Sequence, residues 1–370
     1  MTTVGGVGSR SAEAEERKLL REAAVALRSD RVRVAHQLYA DALEAAADDE
    51  TRAEALEGLG HVAHRSGRPR EALRLFEDSL RLSGKEPWDR LELAEPIGRS
   101  YAAVGEIDRA TTIFLQCVRS AKAEGDRAAQ VRFASLLSYA LTDQGKFEEA
   151  EYALEDVLEA GAESNDPRLS ALVEWAQARL RGEQGRTEVA VEHARAALEL
   201  LKPTDHTKFL ATTHELLASL YNDLGRAEEA LDLLRDGWPL LISSGTPLQV
   251  AHYRIEEARA LAALGPTEGA AAVAMRDVAQ LDGTHPGDAG RAYILLGEIF
   301  DRLGDVARAR QLYETGIGLL TKQGPSRYLA SAYRRLAELF EAEYRTEDAI
   351  AVLKRALSIQ ATVESTIDTA

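Results

Sequence analysis

The chain has 370 residues, 45% hydrophobic and 29% charged, with a net charge of −16 and a pI near 5.1. That charge repels a phosphate backbone and excludes nucleic acid as a partner, and the single cysteine, Cys117, excludes an internal disulfide and fits a reducing compartment. Met1 to Arg10 has no apolar core of a signal peptide, and no run approaches the roughly 18 apolar residues of a membrane span, so a cytoplasmic location is expected.

Residues 1–12 are short, polar side chains and glycine, and residues 361–370 are polar. Both stretches are expected to be disordered tails around a single solenoid domain over residues 13–360. Within that domain the pattern A-x-x-x-[FYL]-x-x-[AGSCV] recurs. Its leading alanine falls at 35, 72, 110, 150, 190, 230, 270, 309 and 349, in steps of 37 to 40 residues. Self-similarity at a fixed period marks a solenoid, in which each unit packs only on its neighbours.

The second repeat shows how a unit is built. Residues 53–65 carry Leu56, Leu59, Gly60 and Ala63 on one face, which predicts an amphipathic helix. Gly67 ends it, and Pro69 opens a second helix with Ala72, Leu73, Phe76 and Leu80 on its apolar face. The turn glycine returns at 105, 145, 185, 225, 265 and 304. The first and last repeats have Asp30 and Tyr344 there, as expected of atypical end units. A small residue recurs in each first helix at Gly60, Gly98, Ser138, Ala178, Ala218, Ala258, Gly297 and Ala337, predicting close helix approach. Pro87, Pro167, Pro247 and Pro286 precede first helices and are predicted to open them. Pro203 and Pro325 also fall between units. Acidic pairs Glu148–Glu149, Glu228–Glu229 and Glu347–Asp348 suit the positive ends of second helices.

On these residues the chain resembles the tetratricopeptide repeat family over about residues 16 to 360. The best copies are Leu56-x-x-Leu59-Gly60 with Gly67, Ala72 and Phe76, and Tyr293-x-x-Leu296-Gly297 with Phe300, Gly304, Ala309 and Tyr313. The units are nearer 40 residues than the family's usual 34 or so. The resemblance implies an all-α, right-handed superhelical solenoid of about nine antiparallel helix pairs. It also implies a concave groove lined by the first helices.

No nucleotide-binding, zinc-protease or hydrolase motif occurs. His61 and His64 share a helix face but have no third ligand in the sequence, so they read as solvated. Cys117 reads as an inert buried side chain. Catalytic, cofactor and metal sites are therefore expected to be absent. Helical phase points a different set of side chains into the implied groove: Leu136, Tyr139, Trp175, Leu216, Ile255, Ile294 and Leu295, with Arg99, Arg132, Arg179, Arg259, Arg291 and Asn222. Leu172 shares that side. Gln177 and Glu257 occupy positions that should be apolar, and a shifted register there would return Leu172, Trp175 and Ile255 to the core.

The functional expectation is a non-enzymatic scaffold or adaptor holding a protein or peptide segment with apolar and acidic groups. The alternative is a peptide-responsive regulatory sensor. Sensors with units of this length are similar to those of bacterial regulators, which often carry a helix-turn-helix domain. About 15 residues precede the first repeat here, so a separate DNA-binding or signalling partner is expected. Only Asn165 and Asn222 supply asparagine for gripping a peptide backbone. Ile350, Leu353, Leu357 and Ile359 end the last unit with nothing following to cover them, which points to a homodimer.

Overall fold

The computed structural model of the protein describes residues 5–162, 165–265, 268–281, 285–322, 324 and 326–365. Among them are eighteen α-helices and a single 3₁₀ turn, with no strand. The chain falls into two compact units, Met1–Val104 and Gly105–Ala370. The boundary lies within the stretch read from the sequence as one solenoid.

The first unit holds α1 (Gly5–Arg28), α2 (Val32–Ala45), α3 (Asp49–Arg65), α4 (Pro69–Ser83) and α5 (Leu91–Ala103). Each packs on the next in order. The second unit begins with α6 (Ile107–Glu124). Its first helices are α7 (Arg127–Asp143), α9 (Pro167–Glu183), α11 (Thr207–Asp223), α13 (Pro247–Leu264), α15 (Pro286–Arg302) and α17 (Arg327–Ala342). They alternate with α8 (Phe147–Ala162), α10 (Thr187–Leu201), α12 (Ala227–Ser244), α14 (Glu268–Ala279), α16 (Val306–Leu320) and α18 (Thr346–Ser365). Helix extends to Gly5 and Ser365, into both stretches expected as tails. Residues 1–4 and 366–370 lie outside the described residues.

Six of the punctuating glycines do what their spacing predicts. Gly67, Gly105, Gly145, Gly185, Gly225 and Gly304 have φ between 69° and 88°, the left-handed region that only glycine enters without steric cost. Just past the glycine, an N–H reaches back five residues to a helix carbonyl: Arg68 to Ala63 (3.0 Å), Lys146 to Leu141 (3.0 Å), Arg226 to Tyr221 (2.8 Å). The bond satisfies a carbonyl the helix end would otherwise orphan. Asp30 (φ 56°) and Tyr344 (φ 60°) take the same conformation in the end repeats, and Arg31 and Arg345 complete the same bond to Ala26 and Phe340, each at 2.9 Å. Loss of glycine therefore leaves the turn unchanged and adds strain. Gly265 differs: its φ of 168° is ordinary extended backbone.

The small-residue positions are buried in every repeat that has one. A Cβ on Gly60 would lie 2.7 Å from the Phe76 ring, and one on Gly297 would lie 2.6 Å from the Tyr313 ring. These aromatics come from the following second helix, so glycine lets the ring sit on the helix backbone. Proline opens α9, α13 and α15 as predicted. Pro87 does not open α5. It starts the 3₁₀ turn Pro87–Asp89, where the Asp89 carboxylate accepts from the Glu86 N–H at 3.0 Å. That closed turn leaves Arg90 extended at φ −132°, so α5 restarts at Leu91. Pro325 lies outside the described residues.

Tyr344 is 93% exposed, so its side chain contributes little packing. Tyr344→Gly is expected to raise stability by about 0.5–1 kcal/mol through relief of the left-handed strain. Gly297→Ala, by contrast, is expected to lower it by about 1–3 kcal/mol through overpacking. Thermal melting of both variants beside the wild type checks the opposite signs.

Candidate functional site

Inside the second unit a first helix touches more than its own partner. α7 packs on α6, α8 and α9, and α13 packs on α11, α12, α14 and α15. The buried sector is correspondingly wide: eleven of the 17 residues of α7 are buried, and ten of the 17 of α15. A helix covered on several sides is apolar over more than one face. This corrects the sequence reading at five positions. Leu136, Leu216, Ile255, Ile294 and Leu295 are core, none more than 8% exposed. They belong to the packing between neighbouring repeats, not to an open face.

A narrow strip of each first helix remains, half-buried, and it carries the rest of the expected set. Tyr139 and Asp143 are one turn apart on α7, as are Trp175 and Arg179 on α9. A step of 36 residues superposes one pair on the other. The Tyr139 and Trp175 rings lie 5.5 Å apart, and Phe209 of α11 meets Trp175 edge-on at 6.3 Å. The Arg179 guanidinium sits 5.3 Å from the centre of the Tyr139 ring.

The charges on this strip are paired with one another. Arg179 donates to the Asp143 carboxylate at 3.1 Å. Arg291 donates to the same carboxylate at 2.7 Å from 148 residues away, joining α15 to α7 across the interior of the unit. The side chains are 12% exposed for Asp143, 19% for Arg179 and 18% for Arg291. On the next helices Arg259 pairs with Asp223 (2.7 Å) and Glu256 (2.8 Å). Asn222 donates to the Glu256 main-chain and side-chain oxygens at 3.0 and 2.7 Å. His252 stands 3.7 Å from Asp288. A cavity of about 50 Å³ lies among Asn222, Arg259, Leu295 and Glu298. A larger one, about 500 Å³, lies between α8 and α10 beside Ser170, Glu174 and Gln177, and brings together none of the expected residues.

Of the expected arginines, then, Arg179, Arg259 and Arg291 are already held by carboxylates of this chain. Arg132 is half-buried on α7 with its guanidinium 4.7 Å from the Phe133 ring, and no carboxylate pairs with it among the described residues. Arg99 is exposed in the first unit and bonded to Glu95 at 3.1 Å, so it is no part of this strip. The reading from sequence missed Asp143, Asp223, Glu256 and Phe209. Asp143 and Asp223 stand 36 residues before Arg179 and Arg259, so the repeat step applied to charges would have found them.

Burial opposes the charge on Asp143, but Arg291 and Arg179 outweigh it and hold the carboxyl below its ordinary value. Glu215 goes the other way. Burial, aided by Glu256 and Asp288, raises its pKa against the pull of His252 and Arg179. Asp143 on the same helix as Tyr139 pushes the phenol up, and burial adds to it.

Two other candidates are settled in structural terms. His61 is not solvated. It packs edge-on against Phe76 at 5.2 Å, and burial, with Arg65 adding to it, lowers its pKa to about 4. His64 faces the Ser100 hydroxyl at 3.0 Å. Cys117 is buried, as expected, and burial raises its thiol to about 12. Among the described residues no cluster of His, Cys, Asp or Glu is arranged for a metal, and no helix is long and apolar enough to cross a membrane.

The stacked antiparallel helix pairs define an all-helical repeat solenoid. Three segments match family models described as tetratricopeptide repeat, residues 55–87, 211–236 and 255–328, and the chain is a tetratricopeptide repeat protein. No curated protein matches it. Among solved structures it is similar to NprR in complex with its cognate peptide NprX, at 16% identity and a TM-score of 0.61 over 83% of this chain and 88% of that one. It is also similar to a Rap protein complexed with Competence and Sporulation Factor (12%, TM-score 0.52, 95% and 99% covered). The apo quorum sensor NprR from B. thuringiensis gives 16%, a TM-score of 0.51, and 93% and 87% covered. At these identities the likeness shows the fold.

Glu215 is a test of the interior's electrostatics. With its pKa raised in the folded state, ionisation costs stability as pH rises above the unfolded value of about 4.3. Glu215→Gln is expected to stabilise the protein at neutral pH by about 1 kcal/mol. The gain should shrink as pH falls towards 4. Thermal melting of wild type and variant across that range measures it.

Proposed function

We propose that the protein is a non-enzymatic scaffold or adaptor that holds a protein or peptide segment on the inner strip of the second unit. The observation that carries this is the convergence of Tyr139, Trp175, Arg179, Asn222, Arg259 and Arg291 from five successive first helices onto one strip. Aromatic and arginine side chains are those enriched at binding hot spots. In this reading the apolar part of the affinity comes from Tyr139, Trp175 and Phe209, because Leu136, Leu216, Ile255, Ile294 and Leu295 are committed to packing. Arg132 and the paired arginines select acidic groups on the partner.

A second reading is a peptide-responsive regulatory sensor that works through a separate DNA-binding or signalling partner. Its support is the likeness to NprR with its cognate peptide and to Rap with Competence and Sporulation Factor. The bond between α7 and α15 supports it further, since a ligand in the interior would act on both helices. In either reading the setting proposed is the bacterial cytoplasm, with no nucleic acid bound directly. Ile350, Leu353 and Leu357 are exposed on α18, and a second copy of the chain is the additional partner proposed for them.

Affinity capture from the native host tests the strip. Trp175→Ala is expected to lose the captured partner, with a cost of about 2 kcal/mol or more, while circular dichroism shows the fold retained. Tyr152→Ala, altering a ring 70% exposed on α8, is expected to capture as wild type does. Equal capture by both variants would move the binding surface elsewhere.

A further inference from the structure

Around Asp143, hydrogen-bond donors outnumber acceptors. The carboxylate takes one bond from Arg179 at 3.1 Å and one from Arg291 at 2.7 Å. The Arg179 Nε–H is buried and has no acceptor among the described residues, and neither has the Trp175 Nε1–H. These two residues are four apart on α9, so their side chains lie one above the other on the same face. Buried donors in native proteins are nearly always satisfied, and each one left unmet carries a desolvation cost. A guanidinium offers two parallel N–H groups that suit one carboxylate, yet Asp143 engages a single nitrogen of Arg179. Glu183 is 4.0 Å away, beyond hydrogen-bond range.

Resting on the groove reading above, the geometry points to a carboxylate-recognition site formed by Arg179, Trp175 and Arg291, occupied in the unliganded protein by the chain's own Asp143. A ligand carboxylate entering here takes the Arg179 Nε–H together with a terminal N–H, and accepts the Trp175 indole N–H with its second oxygen. Asp143 is then an internal competitor. Its displacement from Arg291 removes the bond between α7 and α15, so occupancy of the site is coupled to the contact between the fourth and eighth repeats. The chemistry is that of a peptide's C-terminal carboxylate or of an Asp or Glu side chain.

The site is tested first with acetate as the probe. Asp143→Ala in the full chain should melt below wild type, because two guanidiniums lose their counter-charge. Sodium acetate should restore at least half of the lost melting temperature in the variant and have no such effect on wild type, while sodium chloride at equal ionic strength should not restore it. Equal effects of acetate and chloride would overturn the proposal, since screening alone would then explain them. If Asp143→Ala does not fold, Asp143→Asn keeps the volume without the charge and is put through the same comparison, with the same two outcomes.

Three peptide pools of matched sequence separate the ligand sources: free acids without Asp or Glu, C-terminal amides without Asp or Glu, and amides containing Asp. Removing an internal competitor lifts apparent affinity by the inverse of the competent fraction. Asp143→Asn should therefore bind a carboxylate-bearing pool at least about tenfold more tightly than wild type, with Arg179→Gln removing the gain. The free-acid pool responding identifies a chain terminus, and the Asp-containing amides responding identify a side chain. Neutral amides binding wild type as tightly as the acids, with no change in Asp143→Asn, would overturn the carboxylate site and leave the groove reading standing. Rescue by acetate with no pool binding would support the carboxylate site and remove the peptide reading.

Discussion

Close approach at the small-residue position of each first helix sets the register of everything else. Where Phe76 lies on Gly60 and Tyr313 on Gly297, a Cβ would already collide, so each pair can dock in one way only. Repeating that docking at a near-constant step brings residues about 36 positions apart side by side on neighbouring first helices. Tyr139 meets Trp175, Asp143 meets Arg179, and Asp223 meets Arg259 for this one reason. The left-handed turn with its bond reaching back five residues keeps the step constant, even where Asp30 and Tyr344 replace glycine.

The inner strip that results is polar, half-buried and almost fully self-paired. Ion pairs in such a place are poor sources of stability, because removing both charges from water offsets most of their attraction. Breaking one by deleting a single partner is costly for the same reason. An apolar strip of equal volume would hold the helices together at least as well. The charges therefore make most sense as determinants of which arrangement and which partner the interior accepts. Glu215, with no carboxylate-binding cation close enough to pull its pKa down to the ordinary range, fits that view: it lowers stability at neutral pH.

How much of this could be read from the amino-acid sequence differs by level. The helix pairs, their turns and their small-residue contacts are local and periodic, so counting along the chain finds them. The division into inner strip and core is not local. Leu136 and Tyr139 are three residues apart and both look like groove residues by helical phase, yet Leu136 is covered by neighbouring repeats and Tyr139 is left half-open. Pro87 looked like Pro167, Pro247 and Pro286, but the reciprocal Glu86–Asp89 bonds redirect it into a separate turn. The bond from Arg291 to Asp143 depends on how several repeats accumulate, which no single repeat encodes.

The interior is described as joined at one point, where the first helices of the fourth and eighth repeats share the Asp143 carboxylate. A double-mutant cycle on Asp143→Asn and Arg291→Gln, read by denaturant unfolding, measures that contact directly. A coupling energy of about 1 kcal/mol or more between positions 148 residues apart is the expected result. Additivity within about 0.3–0.5 kcal/mol would mean the two side chains do not meet, and would contradict the account.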